Sequence, residues 1–314
     1  MLAEQVRSGL VETIHDGAIA VTDPTGELVA SSGDIGRPFY FRSAAKPFQA
    51  HISNRAGANL IRERLALACA SHDGEPVHIA LVESILAAVG LKEEALGCPP
   101  AWPIRLTAAR RLANGGAMAP RRIWNNCSGK HAAMLAACVG SGWDPGTYLE
   151  AHHPLQRAIT EFVSHVSGAT DPIGVDGCGA PVFATNCLAM AKSFSFLASA
   201  PEMNTIYEAM HSYPALVSGY GNTDAAIATA LDAVAKRGAA GCLGIGLRNG
   251  YGIAVKCWDG NAEAVGVGAV ASLEQLGVLS DAARASLSAI ASPETRGGGA
   301  PVGRFRSLVE LAWE

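Results

Sequence analysis

Short apolar segments of strand length stand at both ends of this chain, and segments of helix length fill the interval between them. That order restricts the fold more than any other feature. Strands far apart in sequence can bury a face by joining one sheet, with the intervening helices folded beside it. Residues 10–22 (LVETIHDGAIAVT) read as a strand rich in β-formers with a glycine break, DPTG at 23–26 as a turn with proline second, and ELVASSG as a short return strand. After Gly238, the segments AGCLGIGL, YGIAVKCW and AEAVGVGAV are short, apolar and separated by RNG and DGN. Asn249-Gly250 and Asp259-Gly260 are hairpin signals, so a three-stranded antiparallel meander is expected. Helices are expected at 48–58, 59–68, 76–90, 105–114, 129–140, 154–167, 184–198, 202–212 and 223–237, the last with an N-cap at Thr223 and Gly238 just past its end. Two C-terminal helices should follow, with a mobile Gly/Pro-rich stretch at 293–303. The expected class is α+β, a single catalytic domain over 1–314. Its antiparallel sheet comes from N- and C-terminal strands flanked by helices, with the helical middle at roughly 47–238 inserted between them.

Composition narrows the function. Hydrophobic residues make up 49% of 314 and charged residues 17%, which suits a compact enzyme and not a disordered chain. The net charge is −4 with no basic stripe, which argues against nucleic acid and anionic membranes as partners. The segment after Met1 lacks the apolar region of a secretory signal, and no run approaches the roughly 20 apolar residues that span a bilayer. A cytoplasmic location is expected, and with it reduced thiols for the eight cysteines. Only six lysines occur against eighteen arginines, so Lys46, Lys130 and Lys256, all in apolar or Gly-rich settings, stand out.

Five constellations could carry chemistry. Arg42-Ser43-Ala44-Ala45-Lys46-Pro47 sets a serine and a lysine within one helical turn. A serine hydroxyl becomes a nucleophile when a base takes its proton, and an amine can be that base when desolvation or a nearby cation brings its pKa down from about 10.4. Pro47 biases Lys46 away from helical angles, and the same spacing describes a solvated helix start. Cys69-Ala70-Ser71-His72-Asp73-Gly74-Glu75 crowds polar side chains into a turn, as a catalytic loop would, or as an N-cap at Ser71 or Asp73 would. Asn125-Asn126-Cys127-Ser128-Gly129-Lys130-His131 opens a helix but lacks the first glycine of a phosphate loop, which excludes that reading. Gly174-Val175-Asp176-Gly177-Cys178-Gly179-Ala180-Pro181 has glycines that permit tight turns and close backbone approach to a ligand. Cys127 and Cys178, with Lys130 or His131, offer a donor set suited to zinc, and equally describe two unrelated buried cysteines. Lys256 lies in a strand that is apolar on both faces, so alternation does not say whether it points inward.

The order of RSAAKPFQ at 42–49, ASHDGE at 70–75, NNCSGKHAAML at 125–135, GVDGCGAPVF at 174–183 and GIAVKCWDG at 252–260 resembles the asparaginase II family, the rhizobial-type L-asparaginases, from about Val11 to about Val270. The resemblance implies a fold similar to serine β-lactamases and penicillin-binding proteins, and hydrolysis of the L-asparagine side-chain amide. It implies two catalytic serine–lysine pairs, Ser43 with Lys46 and Ser71 with Lys256. It further implies zinc at Cys127, Lys130 and Cys178, and substrate-binding roles for Arg42, His72, His131 and Asp176. A homodimer is the default assembly for such an enzyme. The run Tyr220-Gly221-Asn222-Thr223-Asp224-Ala225 departs from the Gly-Arg-x-Asp-Thr-like run that the family tends to carry after the counterpart of Ser218-Gly219. Two other readings remain in play: a penicillin-recognising serine peptidase or β-lactamase-like hydrolase, against which no Lys-Thr-Gly triplet occurs, and a non-catalytic metal-dependent regulator that binds an amino acid.

Overall fold

A computed structural model describes residues 1–168 and 170–314 of the chain. The strands are β1 (Ala3–Arg7), β2 (Leu10–His15), β3 (Gly17–Thr22), β4 (Leu28–Ser32), β5 (Phe39–Tyr40), β6 (Ile173–Val175), β7 (Pro181–Thr185), β8 (Ala233–Gly238), β9 (Cys242–Leu247), β10 (Gly252–Cys257), β11 (Glu294–Gly297), β12 (Ala300–Ser307) and β13 (Ala312–Trp313). The helices are α1 (Lys46–Ser53), α2 (Arg62–Ala68), α3 (Pro76–Ala88), α4 (Leu106–Asn114), α5 (Ser128–Ser141), α6 (Pro154–Ser167), α7 (Cys187–Ser199), α8 (Asn204–Ser212), α9 (Pro214–Ser218), α10 (Thr223–Ala230), α11 (Ala262–Gln275) and α12 (Asp281–Ala291). The chain divides into two compact units. Met1–Ala44, Thr185–Asn204 and Gly221–Glu314 form the first, and Ala45–Ala184 with Thr205–Tyr220 the second.

The first unit holds a six-stranded antiparallel sheet in the order β13-β4-β3-β10-β9-β8 and a four-stranded one in the order β11-β12-β1-β2. N-terminal and C-terminal strands therefore share a sheet, as their apolar pattern requires: β10 pairs antiparallel with β3, setting Lys256 opposite Ala18. Side chains along β10 alternate between two faces. Ile253, Val255 and Cys257 enter a core with Val267 and Leu273 of α11. The other face receives α7. A Cβ at Gly252 would stand 2.0 Å from the Ala191 carbonyl oxygen, and one at Gly244 would stand 2.1 Å from the Phe194 ring. Glycine at these positions lets α7 lie directly on the strands.

Several expectations are corrected here. Segment 10–22 is not one strand: it breaks at Asp16, with β2 pairing with β1 and β3 with β4 and β10. The expected helix over 223–237 ends at Ala230, and β8 follows; Asn222, not Thr223, occupies its N-cap position. The meander exists, but its strands are β8, β9 and β10. The segment read as its third strand is α11 instead, opened by the Asn261 side chain accepting from Ala264 N at 2.8 Å. Asp259-Gly260 thus turns the chain into a helix and not into a hairpin. Stretch 293–303 is ordered as the β11–β12 hairpin.

The second unit is helical, with β6 and β7 as an antiparallel hairpin. Helix α5 is buried from Ser128 to Cys138 and meets α1, α2, α3 and α6, as a helix apolar on every side must. A Cβ at Gly129 would stand 2.5 Å from Leu67 O, so glycine sets the approach of α2 to α5. A 3₁₀ turn, Arg42–Ala45, runs straight into α1. Pro47 is accommodated because first-turn N–H groups have no intrahelical acceptor.

Candidate active site

Lys46, the first residue of α1, is 1% exposed. Its ammonium donates to Ala70 O at 2.6 Å and to Ser71 Oγ at 3.0 Å. Ser71 is itself buried, and its N–H donates to Val217 O at 2.9 Å. The observed bond thus links the lysine of one expected pair to the serine of the other. Ser43 and Arg42 lie half-buried on the 3₁₀ turn before Lys46, with Arg42 in the left-handed region at φ 50°.

The loop carrying Ser71 is fixed by its next two residues. His72 is fully buried. Its Nδ1 accepts from Gly74 N at 3.1 Å, so Nε2 carries the proton and meets Ser128 Oγ at 2.8 Å, while Ser128 donates to Ile123 O at 2.9 Å. Burial holds this ring well below the usual imidazole range, with His78 and Lys46 acting in the same direction. Both nitrogens are engaged, so His72 supports the loop as a neutral ring. Asp73, 3% exposed, accepts from Arg105 Nε at 2.6 Å. Arg105 also donates to Tyr220 O, which ties the Ser71 loop to the 217–220 segment. Arg105 escaped the sequence reading because it stands 32 residues from Asp73 in no motif.

A second group surrounds Cys178. Asp176 is half-buried and opens the turn that presents this cysteine: its N–H donates to Ala180 O at 2.9 Å, and its carbonyl accepts from Gly179 N at 2.8 Å. Lys130, in the first turn of α5, donates to Cys178 Sγ at 3.1 Å. A hydrogen bond from Cys127 holds Cys178 far below the ordinary thiol range, against burial, with Lys130 and His131 assisting. The same bond pushes Cys127 well above it. Burial opposes charge on Lys130, yet the two sulfurs outweigh it and hold its ammonium above the usual range. Gly97 N donates to Tyr148 OH at 2.7 Å, leaving the phenol proton for His131 Nδ1 at 2.6 Å. His131 Nε2 is buried and faces the Cys178 sulfur.

These residues fit zinc. Two sulfurs and one nitrogen, on residues each at most 6% exposed, lie together, with Lys130 Nζ 3.1 Å from Cys178 Sγ, and this is a donor set that zinc takes. Zinc's charge would replace that of the Lys130 ammonium, which must lose its proton to ligate.

Lys256 lies in the first unit and is 6% exposed. It donates to Ala240 O at 2.6 Å and to Cys257 O, and its ammonium stands 5.4 Å from the Trp258 ring centroid. Burial pushes its pKa down, opposed by Cys242, Cys257 and Cys187.

Buried serine–lysine and thiol–lysine groups thus stand on an α+β frame. The L-asparaginase II family model matches residues 3–307, and the chain belongs to that family, among the amidohydrolases. No curated protein gives a significant match. Similar solved structures include Mglu in its native form (16% identity, TM-score 0.46, covering 87% of this chain and 67% of that one). Mglu in its glutamate form matches at 17% identity and TM-score 0.46, over 88% and 65% of the respective chains. A Bacillus glutaminase matches at 13% and 0.37, over 84% and 91%. The chain spans about two thirds of the Mglu structures' length. No helix among the described residues is long and apolar enough to cross a membrane.

Proposed function

We propose that this chain is an L-asparaginase, hydrolysing the side-chain amide of L-asparagine to L-aspartate and ammonia by serine–lysine acyl transfer. The observation that carries this reading is the buried Lys46 Nζ 3.0 Å from Ser71 Oγ, at the foot of a loop held by the hydrogen bonds of His72 and Asp73. Ser43 attacks the amide carbon while Lys46, in its neutral form, takes the hydroxyl proton. Ser71 relays a proton from Lys46 to the departing nitrogen. The C–N bond breaks, ammonia leaves, and water cleaves the β-aspartyl ester to restore Ser43. Backbone N–H groups stabilise the oxyanion, an effect commonly worth about 3–4 kcal/mol per donor. Lys256 supplies the second amine of the proton network.

Arg42 and Asp176 suit the substrate's α-carboxylate and α-ammonium, and His131 Nε2 offers a further donor. Cys127, Lys130 and Cys178 would hold zinc, which when bound supplies positive charge that organises the pocket. The protein is proposed to act as a cytoplasmic homodimer. Ammonia release from asparagine, glutamine and β-aspartyl peptides, with and without added zinc, tests the reading. Release that is fastest from asparagine supports it, and no release from any amide overturns it.

A further inference from the structure

A second set of metal-binding side chains lies in the first unit, apart from the thiol pair. His15 ends β2 and Cys257 ends β10. Asp259 follows on the turn into α11. His15 Nδ1 stands 2.7 Å from Asp259 Oδ2, and Cys257 Sγ donates to Asp259 Oδ1 at 3.0 Å. Ligand atoms of all three fall within 4.8 Å of one another. The imidazole is oriented from two sides: Thr13 Oγ1 is 3.1 Å from Nε2, and the ring stacks on Phe305 at 5.6 Å. Asn261 N donates to Asp259 Oδ1 at 2.8 Å, steadying the carboxylate. Cys257 and His15 are buried, while the Asp259 side chain is 49% exposed, so the group opens to water on one side.

We propose that His15, Cys257 and Asp259 form a divalent transition-metal site of the zinc or cobalt class, completed by water. Thiolate, imidazole and carboxylate are the donor types that such ions take together. Bonds of about 2.0–2.3 Å place tetrahedral ligands roughly 3.3–3.8 Å apart, so the donors need only small side-chain shifts. On binding, the metal displaces the Cys257 thiol proton, which leaves to solvent, and the His15 Nδ1 proton held against Asp259, which leaves Nδ1 free to ligate while Nε2 keeps a proton facing Thr13 Oγ1. Thr13 and Asn261 then hold the ligands from outside. Because the Cys257 carbonyl also accepts from Lys256, metal loading would anchor the strand end that carries that lysine.

Cobalt(II) is the probe, titrated into the full chain carrying Cys127→Ser and Cys178→Ser, which removes the other thiols in question. One equivalent should bind with a thiolate-to-cobalt absorption band. Adding Cys257→Ser should abolish the band, and adding Asp259→Asn, at a half-exposed position, should weaken binding by about tenfold or more. A folded double variant without the band overturns the proposal, as does a band unchanged by Cys257→Ser or an affinity unchanged by Asp259→Asn. Should the double variant not fold, the native chain serves. There, His15→Gln should lower the cobalt count by one equivalent, and an unchanged count overturns the proposal. None of these outcomes depends on asparagine hydrolysis or on zinc at Cys127, Lys130 and Cys178.

Discussion

Gly219→Ala should destabilise the second unit through one identifiable side chain. Gly219 has φ 94° and ψ 154°, a region almost reserved for glycine. Forcing alanine into it costs about 1–3 kcal/mol. The added Cβ would also stand 2.0 Å from Asp73 Oδ2, so the carboxylate must leave its place 2.6 Å from Arg105 Nε. Asp73 is nearly buried and the Arg105 side chain is 34% exposed, which puts the pair between the surface value of about 0–1 kcal/mol and the buried value of about 3–5. Taking about 1–3 kcal/mol for its loss gives a total of roughly 2–6 kcal/mol. At about 2–4 °C per kcal/mol for chains approaching this size, the melting midpoint should fall by roughly 5–20 °C. A double-mutant cycle separates the two parts. In an Asp73→Ala background the carboxylate is gone, so Gly219→Ala should cost only the backbone strain, leaving a coupling of about 1–3 kcal/mol. Equal costs in both backgrounds, measured by thermal melts, would refute the assigned contact.

Ser43→Ala should abolish ammonia release with an unchanged melt; near-normal turnover in the folded variant rules Ser43 out as nucleophile. Lys256→Arg keeps a cation but removes a practical base, and Lys256→Met removes both, so each should be nearly inactive; an active arginine variant would reduce Lys256 to a source of charge. Cys127→Ser and Cys178→Ser should each lower bound zinc by about one equivalent in elemental analysis, and full retention in both sinks that site. His72 is held neutral by burial with His78 and Lys46 facing it, so the unfolded chain takes up a proton below about pH 6.5 that the folded ring refuses. Stability should therefore fall on acidification from that pH, by up to about 1.4 kcal/mol per unit from this ring, and His72→Gln should flatten the slope. An identical slope in the variant would contradict the assignment.

The sequence made the shared sheet legible but not the boundaries of its strands, and the reason is local. AEAVGVGAV is small and almost wholly apolar, and AVAKRG is too short and too mixed, so neither shows a period of 2 or of 3.6 clearly enough to choose. What decides is tertiary. Gly268 lets α11 close on the sheet, where a Cβ would stand 3.3 Å from Leu2 and Val255. In β8, Lys236 is fully buried, with its Nζ 3.7 Å from Asp224 Oδ2 on α10, a partner that strand formers alone do not announce. The site follows the same division. Ser71, Lys46, Cys127 and Cys178 stand in short motifs that each allowed an ordinary structural reading, and it was the resemblance of their order to the asparaginase II family that singled them out. Arg105 and Tyr148 stand in no such motif, since an arginine bonded to a carboxylate 32 residues away looks in sequence like any surface arginine. Chemistry concentrates in motifs because reacting groups need fixed spacing along a turn or helix. The groups that hold those motifs in place are recruited from wherever the fold brings a donor, so they carry no spacing of their own.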